Sequence, residues 1–304
     1  MTVMTGLLDA LVDDAGLFPP TSLDMRSAVD RHRGDLAAAA PMLTHRLLCP
    51  AARIGELIAE LSAGDRLRVI LIGGDDPART QDAIDQVVSD GRLTLAAVEW
   101  AVTPLARHRL GDGPPSKEQP REGSLGEALQ VALHALDASQ AGPQVPLFAE
   151  AADISAAPAM TAALAGRPEA ERPVGLKLRC GGVRAELFPA PADLAAAFVV
   201  AARAGIAVKA TAGLHHAVRH VDQATGFTHY GFLNVLLASA QAQRGRPVSE
   251  VEAVLRDDDA ERLATLARSF TTEEVRLVRA GFFSYGSCDT SLPVREAAGL
   301  GLSV

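Results

Sequence analysis

The segment that most constrains the fold is Val174–His216, where two strand-like stretches flank a helical one. The first stretch reads VGLKLRCGG and the second reads AVKATAGLHH, so Lys177 and Lys209 each precede a glycine turn. Between them, Ala192–Gly205 is rich in alanine and valine, is long enough for a crossover helix and is closed by glycine. The pattern predicts a strand, helix, strand unit that holds the two lysines side by side.

Lysine is scarce in this chain, because only Lys117, Lys177 and Lys209 are lysines among 29 lysine and arginine residues. An amine can lose its proton and attack a carbonyl, whereas a guanidinium group stays charged. Lysines kept in an arginine-rich chain therefore favour amine chemistry. The alternative is that Lys177 and Lys209 extend from strand ends into solvent.

Composition restricts the class of protein. A chain of 304 residues that is 48% hydrophobic can bury a large core. The formal net charge of -8, without any basic run interleaved with aromatic residues, argues against a nucleic-acid surface. We expect no membrane-spanning stretch, and acids in LLDALVDDAG replace the bases of a signal peptide, so we expect a cytoplasmic protein.

Metal binding has little support in the sequence. The cysteines, Cys49, Cys180 and Cys288, fit reduced thiols better than a disulfide framework. Neither a Cys-x-x-Cys nor a His-Glu-x-x-His spacing is present. We therefore expect neither a metal nor another cofactor, and we expect the cysteines to be small buried residues.

Short apolar runs alternate with amphipathic helical stretches along the chain, which is typical of βα repeats. The candidate strands are AGLFP within Ala15–Pro20, HRLLC, RVILIG, AAVEWAV, PLFAEA, GLKLR, AVKAT and FFSYG. The series predicts one α/β domain over residues 1–304, a (β/α)₈ TIM barrel.

Two segments stand outside this series. The Pro/Gly-rich segment 103–123 predicts a mobile lid on the catalytic side, since it follows the end of a strand. Residues 217–280 form a predicted helical insertion, within which 231–244 could be strand or helix. If 231–244 were a strand, AGLFP would not be one of the barrel strands. The predicted barrel would close with eight strands in either case.

Polar residues gather at the predicted carboxyl ends of the strands, where barrel active sites lie. Two neighbouring ammonium groups repel, so one should lower the pKa of the other and give a neutral amine. Glu99 is placed to transfer protons or to hold a lysine in an ion pair. The further candidates for substrate binding are Glu150, Arg179, His215, His216, Ser284 and Ser287.

The two lysine strands resemble those of the class I, Schiff-base-forming aldolase barrels, in particular the deoxyribose-phosphate aldolase family. The resemblance implies that Lys177 forms an imine, that Lys209 lowers its pKa, and that Glu99 replaces the family's acidic residue. A weaker similarity extends over HRLLCPAARIGELIAEL, RVILIGGDDP, PLFAEA and SYGSC. The resemblance as a whole implies a lyase of carbohydrate metabolism that acts on a small carbonyl compound.

The chain also departs from that family. Leu178, Arg179 and Cys180 stand where the family has small hydroxyl residues, and AGLHH replaces a Gly-Gly-Ile-Arg turn that holds phosphate. The segment between Lys209 and the last strand is also longer. These departures argue against deoxyribose phosphate as the substrate but leave both lysines in place.

Two other functions fit the same residues. One is an isomerase or hydrolase that uses Glu99, Glu150, His215 and His216, with or without a metal. The other is a barrel that binds a ligand without catalysis, because fold alone does not fix function. The sequence is compatible with a homodimer but does not set the oligomeric state.

Overall fold

The computed structural model describes residues 6–74, 76–102, 122–167 and 172–302. The strands are β1 (Val12–Asp14), β2 (Leu43–Pro50), β3 (Leu67–Gly73), β4 (Leu93–Val102), β5 (Leu147–Ala151), β6 (Val174–Arg179), β7 (Ala207–Thr211), β8 (His220–Val221), β9 (Thr228–His229) and β10 (Phe282–Ser287). The helices are α1 (Met25–Ala38), α2 (Ile54–Glu60), α3 (Pro77–Ser89), α4 (Glu122–Asp137), α5 (Ala157–Ala165), α6 (Pro191–Arg203), α7 (Phe232–Gln243), α8 (Val248–Arg256), α9 (Ala260–Arg268), α10 (Thr272–Gly281) and α11 (Ser291–Gly299).

Eight parallel strands close into a barrel in the order β1, β10, β7, β6, β5, β4, β3, β2. The strands alternate with helices along the chain, so the predicted (β/α)₈ architecture is confirmed. Apolar side chains that face outward from the strands pack beneath the helices and form the main core. The carboxyl ends of all eight strands consequently meet at one mouth.

Local sequence sets where several helices begin. Asp24 caps α1 by accepting a hydrogen bond from the backbone N–H of Ser27. In α3 the cap is Asp76 and a proline follows it, as is common at the first helical position. A capping box joins Thr271 and Glu274 at α10.

The first strand is not where the sequence placed it. AGLFP was predicted to be a barrel strand, but β1 is the preceding triplet, in which Val12 pairs with Tyr285 and Asp14 with Ser287 of β10. AGLFP forms the turn beyond it, where Phe18 N–H donates to the carbonyl of Ala15. Because β1 contains two consecutive acidic residues, its sequence is typical of a polar segment, although both residues are buried.

The long connection between β7 and β10 resolves the second ambiguity. Residues 232–243 are helical, and all but the last of these residues are buried. Before this helix, β8 and β9 form a small antiparallel hairpin that the sequence did not predict. The predicted lid falls almost wholly outside the described residues, and only its last two residues belong to α4.

One helical stretch among the described residues, Ala185–Arg203, has the length and hydropathy that a membrane-spanning helix needs. The expectation that no such stretch exists is therefore wrong on length and composition. The stretch combines a short 3₁₀ turn with α6, and Leu194, Phe198 and Val199 on α6 are buried in the barrel. A core helix and a membrane helix meet the same two criteria.

Candidate functional site

The two lysines predicted to be neighbours are direct partners in the barrel. Lys177 of β6 lies opposite Lys209 of β7, and Glu150 of β5 lies opposite Lys177. Gly175 is the inward-facing residue of β6 immediately before Lys177. A Cβ atom at this position would lie 2.4 Å from the ring of Phe148. The glycine thus lets an aromatic ring fill the barrel directly below the lysine.

Lys177 is held between two carboxylates. Its Nζ lies 2.7 Å from Glu99 Oε2 and 2.7 Å from Glu150 Oε2. Glu150 also accepts a hydrogen bond of 3.0 Å from Nε of Arg179. Two cations therefore share Glu150, while Glu99 turns its second oxygen toward the other lysine.

Lys209 lies deeper and is fully buried. Its Nζ lies 3.3 Å from Glu99 Oε1 and donates to Ser284 Oγ at 3.1 Å and to Asp13 Oδ2. Asp13 accepts further hydrogen bonds from Arg46 Nε at 2.8 Å and from Ser284 Oγ at 2.5 Å. Glu99 is thus the bridge that connects the two lysines into one ionic cluster.

The electrostatics of this cluster differ from the expectation of a neutral Lys177. Burial alone would lower the pKa of Lys177, but Glu99 and Glu150 outweigh burial and raise the pKa above its ordinary value. Burial would raise the pKa of Asp13, yet Lys209 and Arg46 bring it down to about 2. The prediction that Lys209 makes Lys177 neutral is therefore wrong in this arrangement, because carboxylates lie between the two amines.

A cavity of about 920 Å³ opens at the mouth among the described residues. Lys177, Glu150 and Arg179 line it, whereas Lys209 and Glu99 lie beneath and do not. Both of these deeper side chains are fully buried, with no exposed surface. Of these two lysines, Lys177 is the one that can touch a molecule bound in the cavity, and the buried Glu99 can act on that molecule through Lys177.

The remaining predicted residues divide into two groups. His215 and His216 line the cavity on the side of β7. His215 lies 3.3 Å from Ser287 Oγ, and His216 lies 2.7 Å from Glu296 Oε1. Ser284 and Ser287 are fully buried, do not line the cavity and are hydrogen-bonded within the protein. The structure therefore brings the histidines, but not the two serines, to the cavity.

Several residues of the site were missed at the level of sequence. Asp13 and Arg46 complete the ionic cluster, and His220 and His229 of the hairpin line the cavity. The signal for Asp13 was a pair of acids inside an apolar run, which is unusual unless the acids have buried partners. Cys288 also lines the cavity, and its Sγ lies 3.7 Å from His215 Nδ1.

The other two cysteines are unreactive in this setting. Cys49 and Cys180 are buried free thiols, and burial raises the pKa of each to about 12. Thiolates are the metal-binding and nucleophilic form of cysteine. Within the described residues, no group of three or more His, Cys, Asp or Glu side chains is placed to hold a metal ion.

No protein-family model matches the chain, and no curated protein sequence matches it.

Proposed function

We propose that the protein is a lyase of the aldolase type that forms an imine between Lys177 and a small carbonyl compound. The observation that carries the proposal is the placement of Lys177, an amine with two carboxylate neighbours at the floor of an open cavity. A purely structural ion pair would need no cavity above it. Imine formation joins Nζ to the carbonyl carbon and releases the carbonyl oxygen as water.

Each neighbour has a distinct role in this proposal. Lys177 must lose a proton before it attacks, and Glu99 at 2.7 Å is close enough to accept it. Glu150 also lines the cavity, so it can exchange protons with the bound substrate directly. Lys209 does not reach the substrate and instead holds Glu99 in position, while Asp13 holds Lys209.

The test is borohydride reduction of the protein in the presence of small aldehydes and ketones, followed by mapping of the modified residue by mass spectrometry. We expect an adduct on Lys177 and its complete loss in Lys177→Met. Because the sequence holds only three lysines, the map is simple to read. An adduct on Lys209, or no adduct with any carbonyl compound in the folded protein, would contradict the proposal.

Lys209→Met is the matched variant. Without Lys209, Glu99 pairs with Lys177 alone, so the pKa of Lys177 should rise further and trapping should need a higher pH. If the role of Lys209 were only structural, Lys209→Met would change the stability of the fold without moving the pH profile of trapping. An isomerase or hydrolase would instead turn over substrate in both lysine variants.

A further inference from the structure

Three histidines form a continuous surface on the β7 side of the cavity. His216, His220 and His229 all line the cavity, and we call them the histidine wall. The ring centroids of His216 and His220 are 4.3 Å apart, and those of His220 and His229 are 5.4 Å apart. The ring of Phe188 packs 4.6 Å from that of His229 and supports it from behind.

Each ring of the histidine wall is oriented by the same kind of contact. Nδ1 of His216 lies 2.7 Å from Glu296 Oε1, and Nδ1 of His220 lies 3.1 Å from the carbonyl oxygen of Val218. Nδ1 of His229 lies 3.4 Å from the carbonyl oxygen of Gly213. A carbonyl or carboxylate oxygen can only accept, so Nδ1 must carry the hydrogen in all three rings.

That tautomer determines what the other nitrogen can do. A neutral imidazole with hydrogen on Nδ1 has a lone pair on Nε2, which can only accept a hydrogen bond. Nε2 of His229 is buried and has no hydrogen-bond partner within the protein. Leaving a buried acceptor unpaired is unfavourable, so this atom is suited to a donor supplied by a ligand.

The wall also lacks fixed positive charge. Burial lowers the pKa of His220 and of His229 below the ordinary histidine value, which keeps both neutral near pH 7. Among the described cavity residues, the lysine and arginine side chains are Lys177, Arg179 and Arg79, which belong to β6 and α3. The charged residue that lines the cavity within the hairpin is Asp222.

We propose that the histidine wall is a binding subsite for the hydroxyl groups of an uncharged, polyhydroxylated ligand. Hydroxyl groups donate to lone pairs on Nε2, whereas a phosphate dianion offers only acceptors and would face acceptors. The subsite stands on its own geometry. If the proposed imine chemistry also holds, the substrate is an unphosphorylated hydroxy-aldehyde or hydroxy-ketone whose tail lies against the wall.

The test uses ligands without a carbonyl group, so that no imine with Lys177 contributes to binding. Binding of ribitol and of ribitol 5-phosphate to the full chain is measured by saturation-transfer NMR titration at about pH 8, where imidazoles are neutral. The comparison is made in the double variant Arg79→Gln, Arg179→Gln, which removes the two cavity arginines that could hold a phosphate. In this variant we expect ribitol to bind more tightly than its phosphate ester. Tighter binding of the ester there, or no ribitol binding up to its solubility limit, would overturn the proposal.

Variants of the histidine wall test whether ribitol binds there. His229→Phe keeps a flat ring against Phe188 and removes the acceptor, so ribitol affinity should fall about fivefold, the effect of one lost hydrogen bond. His220→Phe gives a second measurement if the first variant is unstable. His134→Phe changes an exposed histidine on α4 and should leave affinity unchanged. Equal affinities in wild type and in both wall variants, each shown by circular dichroism to be folded, would contradict the subsite.

A pH titration separates a hydroxyl subsite from an anion subsite. Between about pH 8 and an acidic pH that passes the lowered pKa values of His220 and His229, these two rings gain protons and their Nε2 atoms become donors, so the preference should move toward the phosphate ester. The titratable and charged groups facing the wall are Asp222 in the hairpin, Glu296 on α11, and His215 beside Cys288 and Asp289. A preference for the ester at both pH values would identify an anion site instead.

Discussion

The two sides of the barrel interior are built in opposite ways. On the side of β2 to β5, the inward residues Leu48, Ile70, Ala97 and Phe148 form an apolar cluster. On the side of β1, β6, β7 and β10, the buried inward residues include Asp13, Lys177, Lys209 and Ser284. The interior of one barrel therefore accommodates both solutions.

The two sides differ in how the contributions of their side chains to stability combine. Each apolar side chain stabilises the fold by the area it removes from water, largely independently of distant neighbours. Each buried charge instead depends on its partners, because an ion left unpaired in the interior is costly. Three strands join both sides, since Ala97 and Glu99 are successive inward residues of β4, as are Phe148 and Glu150 of β5 and Arg46 and Leu48 of β2.

The largest expected effect is on stability in Asp13→Asn. The change keeps the shape of the side chain but leaves Lys209 and Arg46 without their shared carboxylate, so the free energy of unfolding should fall by about 3–5 kcal/mol. Denaturant-induced unfolding of Asp13→Asn and wild type measures this difference in the free energy of unfolding. A loss below about 1 kcal/mol would show that Lys209 and Arg46 do not depend on the Asp13 carboxylate.

A smaller effect should appear as a dependence of stability on pH. The pKa of Asp13 falls from 3.8 to about 2 on folding, which corresponds to roughly 2 kcal/mol. Because the folded pKa is the lower one, this stabilisation is complete above about pH 4 and is lost as the pH falls through about 2.

The measurement is the free energy of unfolding of wild type relative to Asp13→Asn across that acidic range. Leu48→Ala is the control from the apolar side, where a cavity should cost about 2–5 kcal/mol at every pH. If the difference between wild type and Asp13→Asn does not change with pH, the charge on Asp13 is not what stabilises the cluster.

The smallest effect is expected for Arg179→Gln. The side chain of Arg179 is 44% exposed, and its partner Glu150 keeps Lys177 as a second cation. Exposed ion pairs contribute about 0.2–1 kcal/mol, so unfolding should change by no more than that. A loss comparable to that of Asp13→Asn would extend the interdependent cluster out to the mouth.

The part of this site that the sequence predicted depends on local signals. Apolar runs that end in glycine located β6 and β7, and the period of two residues in strands then placed Lys177 and Lys209 on the same inward face. The alternation of strands and helices gave the barrel. None of these steps required knowledge of which distant residues meet.

The parts that were missed are those that distant contacts decide. β1 has only three residues, two of them acids, and it reads as a strand only once Lys209 and Arg46 are known to neutralise Asp13. The charge of Lys177 was also misjudged, because lysine spacing does not reveal that Glu99 lies between the amines. The hairpin strands β8 and β9 are too short for a periodic pattern.

The contact between Asp13 and Lys209 links two residues that are 196 positions apart in the chain. Asp13 lies on β1, which closes the barrel between β2 and β10. Contacts of such long range form late, because the chain entropy of closing the loop must be overcome first. Lys209 therefore gains its carboxylate partner on β1 only when the barrel closes, and we expect the chemistry of the site and the last step of folding to appear together.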